Sequence, residues 1–370
     1  MKAIVHIGAP KTGSSSIQAF LDRNKDEFER RGFRYSRLFE QRGSQYEYVL
    51  AALHEAGQLP GNPENRRHFG VTTRAALEDQ AKAPTEYLAR YADTYSEPVA
   101  LFSSEHFVPW LKDAGTVKVA DAMFGRTFEH VRYILYLRNP VSYLVSQYSE
   151  TVKRGNTNRL SDFVKSGAAS VKQLQLVERW VSAVGRERLD VRLMETDWMR
   201  DGDLLADYCH AVGADLQGMQ TPRHQNTSLN VVAAEALRRL NRQFPELADV
   251  GKVDPFRARL FHRVVELAEG APPLALSRPL QRRIEKSAEA STSALRAKYF
   301  PERKTLYTPA KFAKSGLGRR EKEDWVSEIL VTLIRENCEL GSWKAPTAIR
   351  TDARRVYRAV RRRVRGIARV

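Results

Sequence analysis

Ile4-Val5-His6-Ile7-Gly8-Ala9-Pro10-Lys11-Thr12-Gly13-Ser14-Ser15-Ser16-Ile17-Gln18 decides how this chain folds. An apolar run with strand character passes directly into a turn rich in Gly, Lys and hydroxyls, and an amphipathic stretch follows. Such a turn between a strand and a helix aims successive backbone N–H groups and a helix N-terminus at one point, which favours a bound phosphate. The stretch predicts an anion cradle at the first strand–helix junction of an α/β fold.

Outward from that junction, apolar strands are expected at 3–7, 99–103, 131–137 and 189–193, with a short edge strand near 33–36. Helices are expected around 15–30, 46–56, 74–95, 140–154, 171–184 and 202–212. This alternation predicts a doubly wound, mostly parallel sheet with a P-loop-like nucleotide-binding turn over residues 1–215. Beyond about residue 215 the strands stop, and helices near 229–243, 255–268, 278–298 and 321–338 make a helical part over 216–345. No internal repeat is present.

The cradle departs at one position from the strict loop of a nucleoside-triphosphate enzyme, written G-x-x-x-x-G-K-[ST]. Gly8 and Gly13 have its spacing, but Ser14 follows where Lys is required, the lysine stands at Lys11, and no later Walker-type acid stands out. A second informative stretch is His130-Val131-Arg132-Tyr133-Ile134-Leu135-Tyr136-Leu137-Arg138-Asn139-Pro140, continuing to Ser146 and Tyr148. It reads as a buried strand, with Arg138 at the carboxyl end, where open α/β sheets bind ligands. Pro140 suits a helix start and Ser146 follows about two turns later. A guanidinium fork fits a phosphate better than an ammonium does. The third stretch, Val99-Ala100-Leu101-Phe102-Ser103, ends in Ser104-Glu105-His106-Phe107 and brings two candidate bases to the same sheet edge.

Together these stretches resemble the sulfotransferases that use 3′-phosphoadenosine 5′-phosphosulfate (PAPS). Pro10-Lys11-Thr12-Gly13-Ser14-Ser15 matches that family's 5′-phosphosulfate loop, P-K-[ST]-G-[ST]-[ST], and Arg138 with Ser146 matches its L-R-x-P…S segment. The resemblance implies that Pro10, Lys11, Thr12, Gly13, Ser14, Ser15 and Ser16 hold the 5′-phosphate and that Arg138 and Ser146 grip the 3′-phosphate. It implies a glutamate base at Glu105. Where the glutamate-type pattern has a Lys next, this chain has His106, and cytosolic members use a nearby His, so His106 is the substitute. Lys11 would stabilise charge on the bridging oxygen. The implied reaction moves a sulfuryl group from PAPS to a hydroxyl of a glycan or glycolipid, leaves PAP, and needs no metal. Residues 188–195, after Trp180, also resemble a later strand of the family. Asn226-Thr227-Ser228-Leu229 matches an N-x-S-L opening, in which helix capping by Ser228 or Asn230 is expected over a place in the acceptor cleft. Gly341-Ser342-Trp343-Lys344 resembles a G-x-W-K run without the rest of that motif and reads as coincidence. Lys314, Arg319 and Arg320 are further candidates for the 3′-phosphate. The rival readings are a P-loop kinase or other nucleotide-binding phosphotransferase, and a non-enzymatic basic protein that binds membrane or polyanion.

Composition bounds these expectations. The 370 residues can bury a large core. No apolar run approaches the roughly 18–20 residues that span a bilayer. The N-terminus enters a strand without a signal-peptide apolar core, and the two cysteines, Cys209 and Cys338, read as buried thiols. These features predict a cytoplasmic protein of the family's bacterial branch. His6 reads as a hydrogen-bonded core imidazole, and no set of histidines has metal-ligand spacing. Of the net charge of +17, nine Arg against one Asp fall within 350–370. There Val356, Val360, Val364 and Ile367 form one helical stripe. Residues 346–370 therefore read as a basic amphipathic tail, either solvated or lying on an anionic surface at the inner membrane face; nucleic acid is not an expected partner.

Overall fold

Five strands pair in parallel in the order β2-β3-β1-β4-β5: β1 is Lys2–Ile7, β2 Phe33–Arg34, β3 Val99–Ser104, β4 His130–Leu137 and β5 Leu189–Leu193. The chain is thus an α/β protein with an all-parallel sheet. The computed structural model describes residues 1–39, 43–165, 172–222, 228–243, 255–309 and 317–339. β1 is the central strand, in register with β3 (His6 opposite Ser103, Ile7 opposite Ser104) and with β4 (His6 opposite Ile134). Ala3 through Ile7 are all buried, which accounts for the near-continuous apolar run of a strand covered on both faces. Alternate residues feed two cores. Ala3, Val5 and Ile7 join one with helices Glu47–Glu55, Arg74–Ala89, Ala114–Gly125 and Gln173–Val184. Ile4 joins the other with α1 (Ser14–Arg23) and the Leu204–Val212 helix.

By contacts the chain divides into two units. The first comprises Met1–Gln147, Val164–Thr227 and Arg278–Ala310; the second comprises Tyr148–Phe163, Ser228–Ser277 and Lys311–Val370. Arg278–Ala310, which the linear reading assigned to the 216–345 part, goes with the sheet because Leu295, Tyr299, Phe300, Leu306 and Tyr307 enter its first core. In the second unit, helices Val231–Gln243, Pro255–Leu267 and Arg319–Glu339 pack on one another around Val232, Leu237, Val264, Val326 and Ile329. Asn230 caps the first of these, its Oδ1 accepting from Ala233 N at 2.8 Å. Arg319 and Arg320 open the last. No helix among the described residues is long and apolar enough to cross a membrane.

The strand positions follow the sequence expectation to within a residue or two, and several helices differ from it. The expected 15–30 helix breaks at Asn24, whose side chain bonds Phe20 O (2.8 Å), Gln220 O (2.9 Å) and Gln220 N (2.7 Å) and so turns the backbone out of the helix. The 74–95 helix breaks at Arg90. Ala114–Gly125 is helical where no helix is expected from the sequence; Asp113 starts it by accepting from Thr116 N at 2.8 Å. Lys314, Asn226, Thr227, 341–344 and the 346–370 tail lie outside the described residues.

Candidate anion site at the sheet edge

The strand order places the site. The chain leaves β1, builds β2 and β3 on one side of it, and then crosses to β4 on the other, so the switch point lies at the carboxyl end of β1. Three strand ends meet there. The loop Gly8–Gly13 leaves β1, Glu105 follows β3, and Arg138 follows β4.

The loop is held in a demanding shape. Lys11 has φ 66° and Gly13 φ 83°, two left-handed residues within three, and for a non-glycine such as Lys11 this costs on the order of 1 kcal/mol or more. Side-chain bonds brace it: Thr12 Oγ1 donates to Ala9 O at 2.7 Å, and Arg138 Nη1 donates to Lys11 O at 2.9 Å. The guanidinium of β4 is thereby fixed against the loop of β1. Gly13 is the N-cap of α1 and no side chain caps that helix start. Ser14 opens α1 with its Oγ buried and without a hydrogen-bond partner. Gly8 lies beneath: a Cβ there would come within 2.1 Å of Ser14 Oγ and 3.1 Å of Glu105 Cα. An uncapped helix start, an orphaned hydroxyl and a glycine that admits no side chain fit an oxyanion. Pro10, Lys11 and Ser16 are half-buried and Ser15 is exposed, so this rim faces solvent.

Arg138 is half-buried, and its other surroundings are built for it. Burial lowers its pKa, against the opposing pull of Glu195. Gln173 donates from Nε2 to Arg138 O at 2.6 Å, and its Oε1 accepts from the Tyr307 hydroxyl at 2.7 Å. Asn139 caps the next helix, its Oδ1 accepting from Val141 N at 2.9 Å, while its Nδ2 donates to Thr308 O at 3.1 Å. Thr308 N in turn donates to Glu195 Oε2 at 2.8 Å. The 305–308 segment is thus strapped beside Arg138. Pro140 begins the Pro140–Lys153 helix as its fixed φ favours, and Ser146 lies buried two turns along it.

Glu105 and His106 occupy different surroundings. Glu105 is 37% exposed at the side chain, and its Oε2 accepts from Gln18 Nε2 at 2.8 Å. The His106 side chain is 17% exposed. Its Nδ1 lies 3.3 Å from Ser44 Oγ, 3.4 Å from Ser104 Oγ and 3.9 Å from Glu105 Oε1. Its ring packs against Trp110, Phe69 and Tyr46 with centroids 4.5, 5.2 and 5.5 Å apart. The geometry leaves the carboxylate the more accessible of the two. His6 is a core imidazole: it is fully buried, its Nδ1 pairs with Ser103 Oγ at 2.9 Å, and burial depresses its pKa to about 3. Cys209 is a buried thiol, pushed up to about 12 by burial.

The structure therefore brings Pro10–Ser16, Arg138 and Glu105 to one sheet edge, with Ser146 on the helix that starts beside Arg138. Gln18, Gln173, Glu195, Tyr307 and Thr308 were not foreseen. Only Gln18 carried a signal, its i+4 spacing from Ser14. Compared with family models, curated proteins and solved structures, the chain matches none.

Proposed function

We propose that the protein is a sulfotransferase moving a sulfuryl group from PAPS to a hydroxyl acceptor, a glycan or glycolipid. The single observation that carries this reading is the bond from Arg138 Nη1 to Lys11 O at 2.9 Å, which sets a guanidinium beside an uncapped helix start. A guanidinium and a helix start at one sheet edge are two anion-attracting features, and the motif resemblance assigns to them the two phosphates of PAPS. Bound there, PAPS supplies the sulfuryl group: its S–O bond to the phosphate breaks as an S–O bond to the acceptor oxygen forms, and PAP leaves.

The chain's own residues have these roles. Backbone N–H groups of Gly13, Ser14 and Ser15 at the start of α1, with the Ser14 hydroxyl, bind the 5′-phosphate. Arg138, with Ser146, orients the other end through the 3′-phosphate. Lys11 opposes the negative charge that collects on the departing bridging oxygen; preorganised groups of this kind contribute about 3–4 kcal/mol of barrier reduction. Glu105 takes the acceptor's hydroxyl proton onto a carboxylate oxygen, a role typically contributing about a hundred- to ten-thousand-fold.

Radiolabelled PAPS with a panel of saccharide and glycolipid acceptors tests the class. Labelled product is expected from the wild type and not from Lys11→Ala at unchanged fold. Vigorous ATP hydrolysis with no affinity for PAP would replace this reading with the phosphotransferase one. Deleting 347–370 is expected to lower binding to anionic vesicles and leave transfer intact; loss of transfer would make that segment part of the catalytic apparatus.

A further inference from the structure

The N-terminal helix does more than start at the cradle. Ser14 and Gln18 are one turn apart on α1 and both are buried, so they share a face, separated by about 6 Å along the axis. Ser14 Oγ lies over Gly8, and Gly8 in turn abuts the Glu105 backbone. Gln18, only 3% exposed, donates from Nε2 to Glu105 Oε2 at 2.8 Å. One rigid turn of helix therefore touches the anion cradle at one end and the candidate base at the other.

We propose that Gln18 is a positioning residue for Glu105, an inference that rests on the reading of Glu105 as the proton acceptor. Tethering Oε2 leaves Oε1 as the oxygen available to an acceptor hydroxyl and removes the carboxylate's freedom to rotate. An amide suits this task better than a cation. Lys or Arg would pair with the carboxylate and neutralise it, whereas the neutral Gln amide holds it in place and leaves its charge available. The amide also neither ionises nor takes up a proton near neutral pH, so it does not compete for the one Glu105 receives. Because the tether hangs from α1, the distance between phosphate and base is set by helix geometry. A loop would leave it adjustable. Misplacing a reacting group by about 1 Å costs on the order of a hundredfold in rate.

The test measures initial rates with radiolabelled PAPS and the saccharide the wild type sulfates fastest, and PAP affinity by calorimetry. Gln18→Met keeps the volume and removes the donor. It is expected to lower kcat about ten- to a hundredfold while KM for PAPS and the PAP affinity change by less than about threefold. On a Glu105→Ala background the same substitution is expected to have no further effect on kcat, since its action passes through the carboxylate. A buried glutamine that merely stabilises the fold would give effects that multiply in the double variant. Gln18→Glu, nearly isosteric, serves if Gln18→Met fails to fold, and the same loss is expected. Full activity in either variant, or multiplicative losses, overturns the role of Gln18 alone. A wild type that neither binds PAP nor transfers sulfate overturns the functional reading, and the inference with it.

Discussion

Gly8→Ala puts a methyl group into the most crowded point of the site. Its Cβ would sit 2.1 Å from Ser14 Oγ, 3.0 Å from Ser14 Cβ and 3.1 Å from Glu105 Cα. The first contact can relax by rotating a hydroxyl. The other two cannot relax that way, because they involve the start of α1 and the backbone after β3. Gly8 N also donates to Ser104 O at 3.1 Å, which ties the loop to that strand end. Overpacking of this kind costs about 1–3 kcal/mol, and here the strain falls on the cradle itself. The expected result is a loss of stability of that size in urea unfolding, with PAP affinity reduced about tenfold or more as Ser14 and its N–H are displaced. Adding Ser14→Ala removes the 2.1 Å overlap but keeps the two backbone-linked contacts. The double variant is therefore expected to recover part of the stability, with a coupling of about 0.5–3 kcal/mol, and none of the affinity. Wild-type stability and wild-type PAP affinity in Gly8→Ala would refute the close approach of Gly8, the start of α1 and the backbone after β3.

Glu105→Gln is expected to slow transfer at least about a hundredfold with little change in PAP affinity, whereas His106→Ala should act mainly through loss of its packing with Trp110 and Phe69; initial rates of both variants decide, and a dominant effect of His106→Ala would exchange their roles. His6 sets a pH dependence of stability. Its folded pKa of about 3 lies below the ordinary 6.5, so neutral His6 contributes fully above pH 6.5 and the contribution is lost as pH falls towards 3. At pH 5 the loss is about 2 kcal/mol. Denaturant midpoints for the wild type and His6→Gln should converge as pH falls from 7 to 5; parallel profiles would show that folding does not depress the His6 pKa.

What the sequence made legible was local. β1, β3 and β4 announce themselves as apolar runs closed by Gly8, Glu105 and Arg138, and a strand's chemistry-bearing end follows from that punctuation. The strand order was not legible, because pairing depends on contacts between segments about a hundred residues apart. The same limit hid the bond of Gln18 to Glu105 and the strap of Thr308 on Glu195. The break at Asn24 was hidden by its partner at Gln220. The Ala114–Gly125 helix was missed because Gly115, Thr116 and Val117 are weak helix formers, and tertiary packing of Val117, Ala120 and Phe124 overrides them. The aromatic packing of His106, which separates it from Glu105 in accessibility, has no pattern in the chain.

Calorimetric titration of the wild type, Lys11→Ala and Arg138→Ala with PAP and with AMP, which lacks the 3′-phosphate, tests the central claim most directly. A charge-assisted bond from Arg138 contributes about 1.5–3 kcal/mol, so the wild type should prefer PAP by tenfold to over a hundredfold. Arg138→Ala is expected to erase that preference, while Lys11→Ala weakens both ligands alike. Equal affinity of the wild type for PAP and AMP, or a uniform loss in Arg138→Ala, would contradict the account.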